Sequence, residues 1–218
     1  CSGRPEHKGD SMIKNLIFDI GGVLVDFRPA GVLKDMGVSE ERARVILRES
    51  IASPLWHVMD RGAIPEEEVI AAMRGNVPEE MRADYDRFIE EGKPYLTIPF
   101  AYSAQWLKQF HDRGYGVYIL SNYPVSYFEV HKAGFEFLKY TDGRVVSGYV
   151  KLLKPDPAIY RCLLEKYQLK AEECIFVDDL KANAEGACSV GIHGIQFLSY
   201  EDANEKIEQL LREENGEK

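Results

Sequence analysis

Lys14-Asn15-Leu16-Ile17-Phe18-Asp19-Ile20-Gly21-Gly22-Val23-Leu24-Val25-Asp26 decides how the rest of the chain is read. Ile13 to Phe18 is apolar on both faces, as a central strand of a parallel sheet must be. The strand runs straight into Asp19 and then two glycines. A carboxylate at the carboxyl end of such a strand lies where open α/β sheets bind ligands, and glycines let backbone approach whatever that carboxylate touches. As a turn or helix cap Asp19 would gain little directly after an apolar strand, so it is read as a chemical group. Dinucleotide binding does not fit. The run lacks GxGxxG, and its glycines lead into Val23-Leu24-Val25 rather than a helix N-terminus.

The whole chain sets ordinary bounds. With 218 residues and 45% hydrophobic content, it can bury a full core in one domain or in one domain carrying an insert. A formal net charge of −9, with no Lys/Arg-rich run, argues against nucleic acid or an anionic membrane as partner. A small anionic substrate would need local positive charge or a metal. No apolar stretch approaches the roughly 18 residues of a membrane span, and the polar start Cys1 to Ser11 lacks the apolar core of a signal peptide. These features predict a cytoplasmic protein, monomeric or weakly dimeric, with residues 1–11 a disordered leader. The cysteines, Cys1, Cys162, Cys174 and Cys188, show no CxxC spacing, and the last three lie in or beside apolar segments, so they read as reduced core residues.

After strand one the rhythm is interrupted. Between residues 29 and 96 the pattern is acidic and amphipathic, with Glu-rich helix starts at Ser39-Glu40-Glu41, Pro65-Glu66-Glu67-Glu68 and Pro78-Glu79-Glu80, and no convincing strand. The alternation then returns. It predicts a helix near Ala101 to Arg113, strand Gly116 to Leu120, a helix from about Pro157 to Tyr167, strand Cys174 to Val177, a helix from about Ala182 to Val190, strand Gly194 to Phe197 and a closing helix from Tyr200. The expected fold class is α/β, a doubly wound parallel Rossmann-like sheet with an inserted all-α cap. The core would span 12–28 and 97–218, with the cap over 29–96 above the strands' carboxyl ends.

Four short signals fall at or near those carboxyl ends. Asp19 follows strand one, Ser121-Asn122 follows Tyr118-Ile119-Leu120, Lys154-Pro155 precedes a helix, and Asp178-Asp179 follows Ile175-Phe176-Val177. Together they supply a nucleophile, a hydroxyl with backbone N–H donors, a fixed cation and a carboxylate pair for a hard metal ion. Phosphoryl transfer asks for that set, because the anion must be neutralised and its attacking and leaving oxygens held in line. Taken singly, each has a plain structural reading: Ser121-Asn122 an ordinary turn, Lys154 an exposed loop residue, Asp178-Asp179 a helix cap.

In this order the signals resemble the motifs of the haloacid dehalogenase-like hydrolase superfamily, in the subfamily with a helical cap inserted after the first motif. The resemblance runs from Met12 to about Gln209: Phe18-Asp19-Ile20-Gly21-Gly22-Val23-Leu24, Leu120-Ser121-Asn122, Lys154-Pro155-Asp156-Pro157, and Phe176-Val177-Asp178-Asp179 with Asn183. It implies Asp19 as the nucleophile of an aspartyl-phosphate intermediate. Mg²⁺ would be held by Asp19, the Gly21 carbonyl and Asp179, with Asp178 acting through water or by orienting Lys154. Ser121, the Asn122 N–H, Lys154 and the Gly22 backbone would meet the phosphate, Asn183 would shape the metal loop, and Tyr123 would wall the pocket. In the cap, Trp56, His57, Asp60 and Arg61 resemble a substrate-facing loop, which makes Arg61 a candidate substrate contact. Packing for Trp56 and solvated charge for the others is the equally plain alternative.

One position departs from the family pattern. Phosphatases of this superfamily usually carry a second Asp two residues after the nucleophile, as general acid for the leaving group, and here that residue is Gly21. General acid–base help is worth about 10²–10⁴-fold, so its loss weakens such an enzyme without removing the nucleophile, cation or metal. Asp26 reads as a polar residue at the cap junction. The resulting expectation is a Mg²⁺-dependent phosphomonoesterase for a small phosphorylated metabolite, a sugar phosphate by resemblance of the glycine-bearing first motif to the superfamily's sugar-phosphate phosphatases. The alternatives are a haloacid dehalogenase and a non-catalytic binding module on the same fold.

Overall fold

Asn15–Phe18 forms strand β1 with all four residues buried. The computed structural model describes residues 12–214, so the expected leader over 1–11 lies outside the described residues. Beyond β1 come β2 (Val25–Phe27) and five helices, α1 (Pro29–Asp35), α2 (Glu40–Glu49), α3 (Pro54–Arg61), α4 (Glu66–Asn76) and α5 (Arg82–Glu90). Then follow β3 (Thr97–Pro99), α6 (Ser103–Asp112), β4 (Gly116–Ser121), α7 (Val125–His131), β5 (Gly143–Val146) and α8 (Ser147–Val150). The chain continues through α9 (Pro157–Tyr167), β6 (Cys174–Asp178), α10 (Lys181–Ser189), β7 (His193–Gln196) and α11 (Tyr200–Glu214).

Five strands make one parallel sheet in the order β5-β4-β1-β6-β7. Its central strand is therefore β1, which explains why that segment carries no polar face. Phe18 is in register with Ile119 of β4 and Val177 of β6, so Asp19, Ser121 and Asp178 emerge along one sheet edge. Strand order reverses at β1, and the crevice between β4 and β6 at that edge is the position where such sheets take ligands. The sheet is held down partly by aromatics. Phe18 meets Trp106 of α6 edge to face at 4.9 Å between ring centres, a contact worth roughly 0.5–1.5 kcal/mol beyond area burial.

Three strands had no signal in the local pattern. β5 is a short edge strand whose first residues, Gly143 and Arg144, are not apolar, yet it pairs with β4 from Tyr118 to Ser121. β2 and β3 form an antiparallel pair, Val25 opposite Pro99 and Phe27 opposite Thr97, at the two crossings into and out of the helical segment. Their partners lie about seventy residues apart, so no local period announces them.

Of helices α1 to α5, α3 reaches the carboxyl edge, where its Trp56, His57 and Asp60 line the same cavity as Asp19 and Ser121. Ser53 caps α3, accepting from the Leu55 N–H at 3.2 Å, and Gly62 ends it with φ +64°. A side chain at Gly62 is excluded by space as well as by φ, since its Cβ would stand 2.7 Å from the Gly148 carbonyl. Nearby the Ser147 hydroxyl donates to the Asp60 carbonyl at 2.6 Å, and Trp56 meets Tyr127 of α7 edge to face at 5.3 Å. The cysteine expectation holds only in part: Cys162 and Cys174 are free thiols, whereas Cys188 is disulfide-bonded. Among the described residues no helix is long and apolar enough to cross a membrane.

Candidate active site

Asp19 stands at the end of β1, 7% exposed, its N–H tied to the Val177 carbonyl at 2.9 Å. The amine of Lys154 lies 2.9 Å from Asp19 Oδ1 and 2.6 Å from Asp178 Oδ2, and also donates to the Leu120 carbonyl at 3.0 Å. Thirty-three residues after the end of β4, the chain thus returns a buried cation to the sheet edge. What holds it there is Asn122, whose side chain accepts from the Lys154 N–H at 2.9 Å and donates to the Lys154 carbonyl at 3.1 Å. Sequence reading assigned Asn122 only a backbone N–H for phosphate, and the reciprocal clamp on Lys154 had no local signal.

The two adjacent aspartates play different parts. Asp178 is fully engaged: its oxygens accept from Lys154, from the Leu180 N–H at 2.9 Å, and from the Asn183 amide at 2.9 and 3.1 Å. These bonds hold Asp178 against Lys154 and leave little lone-pair capacity for direct ligation. Asn183 is thereby the residue that fixes Asp178, and its own carbonyl accepts from the Tyr160 hydroxyl at 2.7 Å. Asp179 instead faces Gly22, close enough that a Cβ there would meet Asp179 Oδ2 at 2.6 Å.

Charge is concentrated here. Burial pushes the Asp19 carboxyl up to about 7 in the metal-free protein, against the opposing pull of the Lys154 amine, with Asp178 adding to the rise. Burial raises Asp179 too, and Asp178 reinforces it. For Lys154, burial alone would lower the pKa, but Asp19 and Asp178 beside it outweigh that and the net shift is upward. Oxygens of Asp19, Asp178 and Asp179 lie within 4.8 Å of one another. Three carboxylates against one amine leave an excess of negative charge, and hard oxygen donors at this spacing suit a divalent cation such as Mg²⁺.

A cavity of about 490 Å³ opens above this cluster. Asp19, Gly21, Gly22, Ser121, Asn122, Tyr123, Lys154, Asp179 and Asn183 all line it, so most of the predicted site converges. Tyr123 is a wall as expected, its hydroxyl 2.6 Å from His131 Nδ1. Arg61 is not brought into the site: it is exposed at the end of α3 and does not line the cavity. Helical phase is the reason. Trp56, Met59 and Asp60 share the buried face of α3, which turns Arg61 outward. The acid that the helix does turn inward is Asp60, 5% exposed. Burial raises its pKa, countered by His57, whose Nδ1 stands 3.7 Å away. The spacing of Trp56 and Asp60, four apart on one face, was the signal that could have found it. Asp26 lines the cavity from an exposed position on β2.

Comparison with known proteins agrees with this geometry. The family of haloacid dehalogenase-like hydrolases matches residues 13–191. Over 201 residues the chain is 26% identical to the drimenol cyclase drtB of Aspergillus calidoustus, covering 92% of this chain but 37% of the cyclase, so it spans about a third of that protein's length. It is 27% identical over 202 residues to the sesquiterpene phosphatase astK of Aspergillus oryzae, covering 91% of this chain and 96% of that one. Among solved structures, the magnesium complex of a HAD family enzyme from Bacteroides thetaiotaomicron shares the fold, with TM-score 0.68 and 22% identity, covering 90% of this chain and 99% of that one. With the family's match extending over most of the chain, and with Asp19, the Lys154 amine and the Asp178–Asp179 pair converging on one sheet edge, this protein belongs to the haloacid dehalogenase-like hydrolases.

Proposed function

We propose that this hydrolase is a Mg²⁺-dependent phosphomonoesterase that works through an aspartyl-phosphate on Asp19. The observation that carries the reading is the cluster of three carboxylates around a single buried amine. A haloacid dehalogenase also uses an aspartate nucleophile, but an anionic haloacid would enter beside uncompensated carboxylates, an arrangement that repels it. A dication plus a phosphoryl group fits the same charges.

In this reading Asp19 and Asp179, with the Gly21 carbonyl, would hold Mg²⁺, which would supply neutralisation and orientation of the phosphoryl oxygens. Asp19 attacks phosphorus in line. Lys154, the Ser121 hydroxyl and the Asn122 N–H take up charge on the equatorial oxygens, and water then cleaves the acyl phosphate. Gly21 offers no proton, so we assign the leaving oxygen's proton to Asp60, the buried lining acid on α3. Residues 29–96 act as the cap over a core of 12–28 and 97–218, excluding bulk water during transfer. The likeness to a sesquiterpene phosphatase and to a neighbour crystallised with magnesium supports the phosphatase class and the metal.

Hydrolysis of p-nitrophenyl phosphate with and without Mg²⁺ tests this directly. Metal-dependent release that disappears in Asp19→Asn, together with a beryllium fluoride adduct requiring Asp19, is the expected result. Release by Asp19→Asn at the native rate, or halide release from 2-chloropropionate without metal, would sink it.

A further inference from the structure

We infer that the ester taken by this site is the monophosphate of an uncharged, mainly apolar alcohol. This rests on the phosphatase reading above. Away from the carboxylate cluster, the cavity wall is made by Val25, Phe27, Ile51, Trp56, Phe100 and Tyr127, and carbon dominates its surface. At the mouth Phe27 and Leu180 are 38% and 58% exposed, apolar surface that an apolar ligand would cover.

Several polar groups on that wall are engaged already, and the buried Tyr127 hydroxyl, which has no hydrogen-bond partner, is the exception that could meet one hydroxyl of a ligand. The Tyr123 hydroxyl is bonded to His131 Nδ1, and His131 Nε2 meets the Lys93 carbonyl at 2.6 Å, so this pair offers little to a ligand. Lys154 is held between Asp19 and Asp178, and His57 beside Asp60. Among the described lining residues no further cation faces the distal part of the cavity, where the exposed Asp26 adds a carboxylate. A second anionic group on the substrate, such as the carboxylate of phosphoglycolate, would be repelled there. A sugar would strand several hydroxyls against carbon, each unpaired group costing roughly tenfold in affinity. The sugar ester implied by resemblance is therefore replaced by an apolar one. The volume, about 490 Å³, falls within the range that encloses ligands of drug size.

The test compares n-alkyl phosphates from ethyl to octyl with glucose 1-phosphate and phosphoglycolate, all with Mg²⁺ and with p-nitrophenyl phosphate as the reference. Each buried methylene should raise kcat/KM about two- to fourfold until the cavity is filled. Octyl phosphate should exceed both polar esters by at least tenfold. Phe27→Lys, at a half-exposed position, should flatten the alkyl series and favour phosphoglycolate relative to octyl phosphate. If p-nitrophenyl phosphate is cleaved while the series is flat, or while a polar ester is the better substrate, this inference is overturned and the phosphatase reading stands. If Mg²⁺ supports no cleavage of p-nitrophenyl phosphate, the phosphatase reading fails and takes the inference with it.

Discussion

Gly22→Ala separates two glycines that are adjacent in sequence and unlike in space. Gly22 has φ +68°, and an alanine Cβ there would stand 2.6 Å from Asp179 Oδ2 and 2.8 Å from its Cγ. Real contacts of that kind do not fall below about 3.0 Å, so the carboxylate must swing away. The left-handed backbone alone costs an L-residue about 1–2 kcal/mol. Displacing one of the two carboxylates assigned to the metal should raise the Mg²⁺ concentration for half-maximal activity by about 10–100-fold, the range seen when metal-site support is lost. Two measurements are needed: Mg²⁺ titration of p-nitrophenyl phosphate turnover, and urea unfolding in EDTA. The expected pair is a weaker metal response together with a stability loss of about 1–2 kcal/mol. A normal Mg²⁺ response alongside that stability loss would show that Asp179 does not hold the metal. Gly21→Ala serves as the stability control, because a Cβ at Gly21 meets nothing within 4 Å and its φ is not positive, so its unfolding free energy should change by less than about 0.5 kcal/mol.

The same open space permits Gly21→Asp, which reinstates the general acid of the family pattern; turnover of alkyl phosphates should rise by about tenfold, and no gain would mean that the missing acid does not limit the rate. Lys154→Met leaves Asp19 and Asp178 facing each other with the amine gone, which should lower stability in EDTA by about 3–5 kcal/mol; a urea midpoint implying less than about 1 kcal/mol would contradict the ion-pair account. Asp60→Asn should slow alkyl phosphates by about 10²-fold but p-nitrophenyl phosphate, whose leaving group departs without a proton, only a few-fold; equal losses on both would assign Asp60 a structural role. Removing divalent ions with EDTA should abolish turnover, with recovery on adding Mg²⁺; persistent activity in EDTA would refute the metal assignment.

Much of this protein is legible in the order of its residues. An apolar run closed by Asp19, and the returning period of strands and helices after residue 96, specify a parallel sheet and the edge at which the acidic residues emerge, because strand burial and helix phase are local properties. The acids and the lysine could be named for the same reason: each follows a strand or opens a helix. Tertiary structure alone decided how those groups divide the labour. Asp178 and Asp179 are neighbours in sequence, yet one is tied to Lys154, Leu180 and Asn183 while the other faces Gly22. Asn122 grips Lys154 across thirty-two residues, and β2 finds β3 across about seventy. Helix phase turned Asp60 inward and Arg61 outward, but only packing of α3 over the sheet edge made Asp60 part of the cavity wall. Local sequence fixes the period of burial; which distant groups converge depends on how the packed elements close on one another.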